Sequence, residues 1–329
     1  MIRTVLCLAQ LFTLFLSLLF PAFSIKAQSL QPSTPRREIA ITIDDLPGVL
    51  VPPVDERKAL QRLQKMNKQM LDAMVAHRIQ ATGFVNEQRL HKTGEVDARI
   101  DILRSWLGSG MTLGNHTFAH LDFNKMSEPE FEDEVIRGEV ITRQLIKERG
   151  QHNFYIRFPF NHDGNTKDKK DAMNAFLKAR GYTPAPFTIE HSDYLFNEVY
   201  ARAKQRGDEQ LAKQIRADYL SFLDTAFAYI EKRSREVLGY EPKQIFLIHV
   251  NQINAECLPE MLARIKKRGY SFISLDEAMK DKAYAIADQY TGGAGISWIH
   301  RWSHSLGQGI NNRDEPDPPT AILKMYQTK

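Results

Sequence analysis

Two histidines separated by three residues, His116 and His120, could bind one metal ion. Side chains at positions i and i+4 can point the same way and bind the same cation. The adjacent carboxylates Asp44 and Asp45 offer a third ligand, and three protein ligands leave one coordination position open for water. One aspartate would bind the cation, and the other would accept a proton from the attacking water. These residue types therefore predict hydrolytic chemistry.

Three more residues could supply what a hydrolytic site needs besides a metal. Arg157 could keep the proton-accepting carboxylate ionised and oriented. His249, as a charged imidazole, could protonate the leaving group, and Asp193 could hold it in that charged form. Each residue alone also has an ordinary structural explanation, such as a surface ion pair for the arginine or a core position for His249. Their joint occurrence favours an active site.

Runs of strand-forming residues alternate along the chain with amphipathic stretches of helical periodicity. The predicted strands are Glu38–Ile43, Ala81–Val85, Met111–Gly114, Phe154–Phe158, Thr183–Thr188, Gln244–Ile248 and Ser271–Ser274. Such alternation implies parallel strands joined by helices, in either a closed barrel or an open doubly wound sheet. The candidate residues follow five of these strands. The carboxyl ends of parallel strands form one active-site face, so residues distant in sequence would meet there.

Five segments, in this order, resemble the motifs of the polysaccharide deacetylase family, also called the NodB-homology group or carbohydrate esterase family 4. The segments are Thr42-Ile-Asp44-Asp45-Leu-Pro, His116-Thr-Phe-Ala-His120, Arg157-Phe-Pro-Phe160, Ser192-Asp193-Tyr194 and Phe246-Leu247-Ile-His249. The resemblance extends from about Glu38 to Met279. It implies an α/β fold, a distorted (β/α) barrel of seven or eight repeats, and metal-dependent removal of acetyl groups from sugars.

The resemblance also implies a role for each matching residue. The catalytic residues would be Asp44 as the base, His249 as the acid, Arg157 beside Asp44 and Asp193 beside His249. The metal ligands would be Asp45, His116 and His120. The substrate contacts would be the backbone N–H of Phe160 at the oxyanion, Leu247 in the acetyl pocket and Tyr194 on the groove wall.

Two positions depart from the family's usual pattern. The third motif usually ends in tyrosine, and here it ends in Phe160. A backbone donor survives that change, so the implied mechanism is unaffected. The fourth motif usually ends in tryptophan, and here it ends in Tyr194, which alters a wall of the groove and leaves the identity of the sugar open.

The sequence therefore predicts a hydrolase that removes acetyl groups from an acetylated saccharide, with N-acetyl amino sugars favoured over O-acetyl sugars. One divalent cation is expected, and the donor set favours Zn²⁺, with Co²⁺ or Ni²⁺ as alternatives. Two other functions stay open. One is a related metal-dependent amidase acting on a small non-sugar amide or imide, and the other is a catalytically silent carbohydrate-binding protein. The expected partner is the saccharide, and no protein partner is evident.

The 329 residues divide into four predicted parts. Residues 1–27 read as a signal peptide, because the apolar run Val5–Phe23 precedes a small residue, Ala27. A retained membrane anchor is the alternative. Residues 28–37 would be a flexible lead-in, residues 38–282 the catalytic domain, and residues 283–329 an irregular C-terminal extension. Export predicts a periplasmic or extracellular protein with no membrane partner beyond export.

The charge and the C-terminal aromatic residues add two expectations. Without Arg3 and Lys26 of the predicted signal peptide, the net charge falls from +4 to +2. A charge so nearly balanced does not indicate a basic surface that would bind nucleic acid.

Trp298, His300 and Trp302 could stack on a sugar or anchor the extension to the domain.

Overall fold

The computed structural model describes residues 37–150, 153–310 and 312–328. The predicted signal peptide and residues 28–36 of the predicted lead-in lie outside the described residues. Arg37, which the sequence assigns to the lead-in, begins the first strand. Within the described ranges, no helix combines the length and the apolar character that crossing a membrane requires.

Seven strands form one sheet. They are β1 (Arg37–Leu46), β2 (Thr82–Val85), β3 (Thr112–Asn115), β4 (Phe154–Ile156), β5 (Tyr182–Pro184), β6 (Gln244–His249) and β7 (Tyr270–Ile273). The order across the sheet is β5-β4-β3-β2-β1-β6, and β7 also pairs with β1. Each of these pairings is parallel. The predicted α/β class with parallel strands is confirmed.

Helices connect the strands and cover the sheet. They are α1 (Glu56–Ala76), α2 (Val96–Gly108), α3 (Glu128–Arg137), α4 (Val140–Glu148), α5 (Lys167–Ala179), α6 (Asp193–Gln205), α7 (Glu209–Leu238), α8 (Gln252–Lys267), α9 (Leu275–Ala278), α10 (Trp298–Ser305) and α11 (Thr320–Gln327). The long connection between β5 and β6 contains two of these helices, α6 and α7.

The break between α3 and α4 leaves room for a functional loop. The two helices meet at Gly138, where an added Cβ atom would lie 2.5 Å from the carbonyl carbon of Thr117 and 2.7 Å from the nitrogen of Phe118. Both atoms belong to backbone, so neither can move aside cheaply. Glycine at this position lets the loop that carries His116 and His120 pack closely against the helices.

The central strand β1 joins the two sides of the hydrophobic core. Ile39, Ile41 and Ile43 are almost fully buried and belong to the main cluster, together with apolar residues of α1 and α8. Ala40 points the other way and packs with Phe84 and Ile245. This alternation follows from the two-residue period of a strand, and it fixes which β1 residues face the functional cleft.

The strand ladders of the described residues form an open path, but one segment contacts both of its edges. Residues 182–184, as β5, pair with β4. Ile189, five residues after β5 ends, forms a parallel bridge with Phe246 of β6. The nitrogen of Leu247 also donates to the carbonyl oxygen of Ile189 at 2.9 Å. The segment after β5 thus links the edge strands of the path, which is the arrangement expected of a distorted barrel.

The predicted C-terminal extension contains two helices, α10 and α11, and packs against the domain. Trp302 and His300 are fully buried, so neither can stack on a sugar at the surface. Trp302 packs edge-on against Tyr284 at 5.1 Å between ring centroids. Trp298 packs against Phe187 at 5.8 Å. Of the two roles expected for these residues, the structure supports anchoring.

Candidate functional site

The end of β1 brings two adjacent aspartates into one cleft. Consecutive residues of a regular strand point to opposite faces, which would separate Asp44 from Asp45. Asp45 has a φ of 71° and the β1–β2 register shifts between Ile43 and Leu46, so the alternation is broken at this point. Both carboxylates consequently line the same cleft.

Three site residues other than glycine have left-handed backbone conformations. The φ angles are 71° for Asp45, 59° for His120 and 57° for Phe160. Such conformations cost roughly 1–3 kcal/mol and persist where the surrounding structure imposes them, often at functional sites. They also explain how the two histidines approach each other. His116 and His120 lie in a loop, and turns at Thr117 and His120 bring their rings together.

One carboxylate and two imidazoles form a possible metal site. His120 Nε2 lies 3.6 Å from Asp45 Oδ1, and His116 Nε2 lies 3.9 Å from the same oxygen. All three candidate ligand atoms lie within 4.8 Å of one another. Tetrahedral Zn²⁺ with bonds of about 2.0–2.1 Å separates its ligands by roughly 3.4 Å. These three residues therefore fit a Zn²⁺-sized cation after a small contraction.

The histidines are present in the form that binds metals. His116 Nδ1 lies 2.7 Å from the carbonyl oxygen of Arg157, which can only accept, so this nitrogen carries the proton and leaves Nε2 free for a metal. Burial lowers the pKa of His116 to about 4 and that of His120 to about 4. Both rings are neutral at pH 7, as ligation requires.

Asp44 has the surroundings of a general base. Its carboxylate is buried beside Arg157, with Nη1 3.7 Å from Oδ2. Burial raises the pKa of Asp44, while the positive charge of Arg157 opposes that rise. Arg157 itself is held by hydrogen bonds of 3.1 Å to Thr42 Oγ1 and to the carbonyl oxygen of Pro186. The arginine lies beside Asp44, as expected, and its charge offsets only part of the effect of burial on the pKa.

His249 and Asp193 form a buried hydrogen-bonded pair. His249 Nδ1 lies 2.7 Å from Asp193 Oδ1, and the backbone nitrogen of His249 donates to Oδ2 at 2.8 Å. Burial is the largest single effect and lowers the pKa of His249, but the charge and hydrogen bond of Asp193, together with the charges of Asp45 and Asp44, raise it to about 10. The imidazole is therefore charged at pH 7, as a leaving-group acid requires.

The proposed base and acid lie on neighbouring strands. Asp44 of β1 and His249 of β6 are direct partners in the parallel ladder. Residues at matching positions of adjacent strands project from the same face of a sheet, and both side chains line the cleft. A substrate seated between them would have a proton acceptor on one side and a proton donor on the other.

The cleft encloses about 580 Å³ and contains all three predicted substrate contacts. Phe160 and Tyr194 are 53% and 54% exposed, so their rings are available to a ligand. Leu247 is only 4% exposed and contributes to the apolar lining. The structure thus assembles the ten predicted residues around one cleft, eight of them lining it and Arg157 and Asp193 lying behind it.

Sequence reasoning missed several residues of this site. Arg89 follows β2 and donates from Nη2 to Asp45 Oδ1 at 3.2 Å, although no candidate residue was predicted after this strand. Asn251 and Asn254 both donate to Asp193 Oδ2. Gly295 and Tyr326 of the C-terminal extension line the cleft, and nothing in their sequence context indicates it.

Part of the chain is similar in sequence to known deacetylases. Residues 31–183 match the family model for polysaccharide deacetylase. The peptidoglycan-N-acetylmuramic acid deacetylase PdaA of Bacillus subtilis is 24% identical over 220 residues, or 65% of this chain and 66% of that protein. The peptidoglycan-N-acetylglucosamine deacetylase of Bacillus cereus is 26% identical over 125 residues, or 38% of this chain and 37% of that protein.

Solved structures of carbohydrate esterases are also similar. The structure of Bacillus subtilis PdaA, a family 4 carbohydrate esterase, has a TM-score of 0.43 and 20% identity, and covers 74% of this chain and 81% of its own. A family 4 pseudoenzyme from Bacillus anthracis has a TM-score of 0.48 and 15% identity, and the match covers 75% of this chain and 66% of that protein's chain.

The matched range covers the first part of the site. Residues 31–183 include Asp44, Asp45 and both candidate histidine ligands. Asp193 and His249 lie after this range, and their assignment depends on the hydrogen-bonded geometry described above. Over residues 31–183, the sequence therefore matches the polysaccharide deacetylase family.

Proposed function

We propose that this protein is a metal-dependent hydrolase that removes the acetyl group from an N-acetylated amino sugar. One observation carries the proposal. The possible metal site of Asp45, His116 and His120 shares a cleft with Asp44 and with the charged His249. The similarity to a peptidoglycan-N-acetylmuramic acid deacetylase and to a peptidoglycan-N-acetylglucosamine deacetylase supports an N-acetyl substrate.

The residues around the cleft can perform each proton transfer of amide hydrolysis. A bound divalent cation would lower the pKa of the attacking water and polarise the acetyl carbonyl. Asp44 accepts a proton from the water while the oxygen of that water attacks the carbonyl carbon. The backbone N–H of Phe160 donates to the developing oxyanion. His249 then donates its proton to the sugar nitrogen as the C–N bond breaks, which yields acetate and a free amine.

Acetate release from defined substrates tests this function. The wild-type protein, loaded with Zn²⁺, Co²⁺ or Ni²⁺ in parallel, is incubated with N-acetylglucosamine oligomers, peptidoglycan and acetylxylan. We expect more acetate from the N-acetyl substrates than from acetylxylan. Release only from acetylxylan would replace the N-acetyl assignment with O-acetyl. Hydrolysis of small cyclic imides alone would favour the amidase, and sugar binding without acetate would favour a carbohydrate-binding protein.

His116→Ala should abolish stable metal binding. The variant removes one of three ligands. The two that remain, Asp45 and His120, are too few for a three-ligand site. Metal content per chain, measured by atomic emission after gel filtration, should fall from about one ion towards zero. The matched control is His304→Ala, which removes an exposed histidine far along the chain and should keep the metal. Full metal content in His116→Ala would show that this assignment is wrong.

We also propose that the protein is exported and that its mature form begins at Gln28. The proposal depends on the apolar run Val5–Phe23 and the small residue Ala27. Mass spectrometry of protein isolated from its native host should find Gln28 at the N-terminus and the protein outside the cytoplasm. An intact chain that begins with Met1 and sediments with membranes would instead support the retained anchor.

A further inference from the structure

The turn at residues 159–162 has an unusual backbone. Phe160 and Asn161 both have positive φ angles, 57° and 56°, although neither is glycine. Two hydrogen bonds close the turn, from Asn161 nitrogen to Phe158 oxygen at 3.0 Å and from His162 nitrogen to Pro159 oxygen at 3.1 Å. A conformation that costs roughly 1–3 kcal/mol per residue needs support from surrounding groups.

Arg301 of α10 supplies one support. Its side chain is fully buried, and Nη2 donates to the carbonyl oxygen of Asn161 at 2.7 Å. Nη1 donates to Asp163 at 2.8 Å and to Asp288 at 2.9 Å. The guanidinium also stacks on Trp298, with Cζ 4.1 Å from the ring centroid. The planar fork of arginine can make these contacts at once, which a lysine cannot do.

A second cation balances the charge of this cluster. Lys170 Nζ lies 3.0 Å from Asp163 and 2.7 Å from Asp288, and it donates to the carbonyl oxygen of Tyr290 at 2.8 Å. Two buried cations thus face two carboxylates, which satisfies the requirement that buried charges be paired. The cluster fastens the C-terminal extension to the segment that follows the turn.

Gly295 supplies the second support by direct backbone contact. A Cβ atom added there would lie 1.8 Å from the carbonyl oxygen of Phe160. The extension therefore packs against the turn at a position where any side chain would displace it. Gly293, two residues earlier, has nothing within 4 Å of an added Cβ atom.

We propose that the C-terminal extension, through Gly295 and Arg301, positions the turn at residues 159–162 and so aims the backbone N–H of Phe160 into the cleft. Both are positioning residues, because they act through the turn and not on the substrate. The catalytic part of this inference rests on the proposed deacetylase function, in which that N–H binds the oxyanion. The extension would then help to form the active site in addition to packing against the domain.

The test compares Gly295→Ala with the matched control Gly293→Ala. Hydrogen exchange of the full-length proteins, followed by mass spectrometry of peptides covering residues 157–163, reports on the turn without any substrate. Gly295→Ala should exchange faster at Asn161 and His162, and Gly293→Ala should match the wild type. With an N-acetyl sugar, Gly295→Ala should lose about 10²-fold in kcat with little change in KM, since misplacement by about 1 Å costs that much. Metal content should be unchanged.

Arg301→Lys provides a second variant in case Gly295→Ala folds poorly. It keeps a charge near Asp163 and Asp288 but loses the fork that reaches Asn161. Faster exchange at the turn with a lower kcat would support the proposal. Exchange like that of the wild type in both variants would overturn it. Faster exchange at the turn with an unchanged kcat would show that the position of the turn does not affect catalysis. If the wild-type protein releases no acetate, the proposed deacetylase function is wrong, and the exchange rates alone then test whether Gly295 and Arg301 position the turn.

Discussion

Asp44→Asn is expected to lower kcat by at least about 10²-fold and to leave the metal content unchanged. The amide has nearly the shape of the carboxylate but cannot accept the proton of the attacking water. Metal retention follows from the geometry, since the three ligand atoms come from Asp45 and the two histidines. Acetate release from an N-acetylglucosamine oligomer and atomic emission of the purified variant measure the two quantities.

Asp45→Asn is the matched comparison, because it makes the same change one residue along the chain. This variant should lose the metal and, with it, the activity. It also leaves Arg89 without the carboxylate to which it donates. If Asp44→Asn lost the metal while Asp45→Asn retained it, the roles of base and ligand would be exchanged.

His249→Asn should harm N-acetyl substrates more than O-acetyl substrates, and an activated aryl acetate least. An amine must be protonated to leave, because the amide anion is far too basic, whereas an alkoxide can be helped by the metal and solvent. The expected loss on the N-acetyl sugar is about 10²- to 10⁴-fold in kcat. Assays of all three substrates, with metal content checked, measure the ratio. An equal loss on every substrate would indicate a structural role for this histidine.

The pH profile gives a second test of His249. Against the effect of burial, Asp193, with smaller contributions from Asp45 and Asp44, raises the pKa of the imidazole to about 10, so the charged acid is present at lower pH and is lost as the pH rises through about 10. Activity should therefore fall on the basic side, and His249→Asn should lack that limb. Asp193→Asn removes the charge that raises the pKa and should move the limb to lower pH. A limb that stays in place in both variants would have another origin.

Much of the fold could be predicted from local sequence patterns. The alternation of Ile39, Ile41 and Ile43 specifies a strand with one face in the main core, and β1 is found there. All seven predicted strands occur, with ends that differ by a few residues. Strand and helix periodicity depend on neighbours within a few positions, so the sequence alone contains this information. The rule that parallel strands present their carboxyl ends at one face then predicted which residues would meet.

The details of the site depend on contacts that periodicity does not describe. The spacing of the two histidines predicted that they could bind one cation, but the left-handed turns at Thr117 and His120 that bring them together were not predicted. Likewise, a φ of 71° at Asp45 places both aspartates in the cleft, whereas a regular strand would separate them. These conformations are unfavourable locally and exist because the packed surroundings impose them, as at Gly138 beside the ligand loop.

By itself, the sequence determined the parallel α/β class, the strand order along the chain and the set of residue types able to hydrolyse an amide. Tertiary structure decided the backbone turns that place Asp45 near the histidines, the hydrogen bonds between Asp193 and His249, and the contacts of Arg301 and Gly295 with the turn bearing Phe160. The last of these joins residues more than 130 positions apart. A close approach over that distance depends on how whole elements pack, and no local pattern of residues records it.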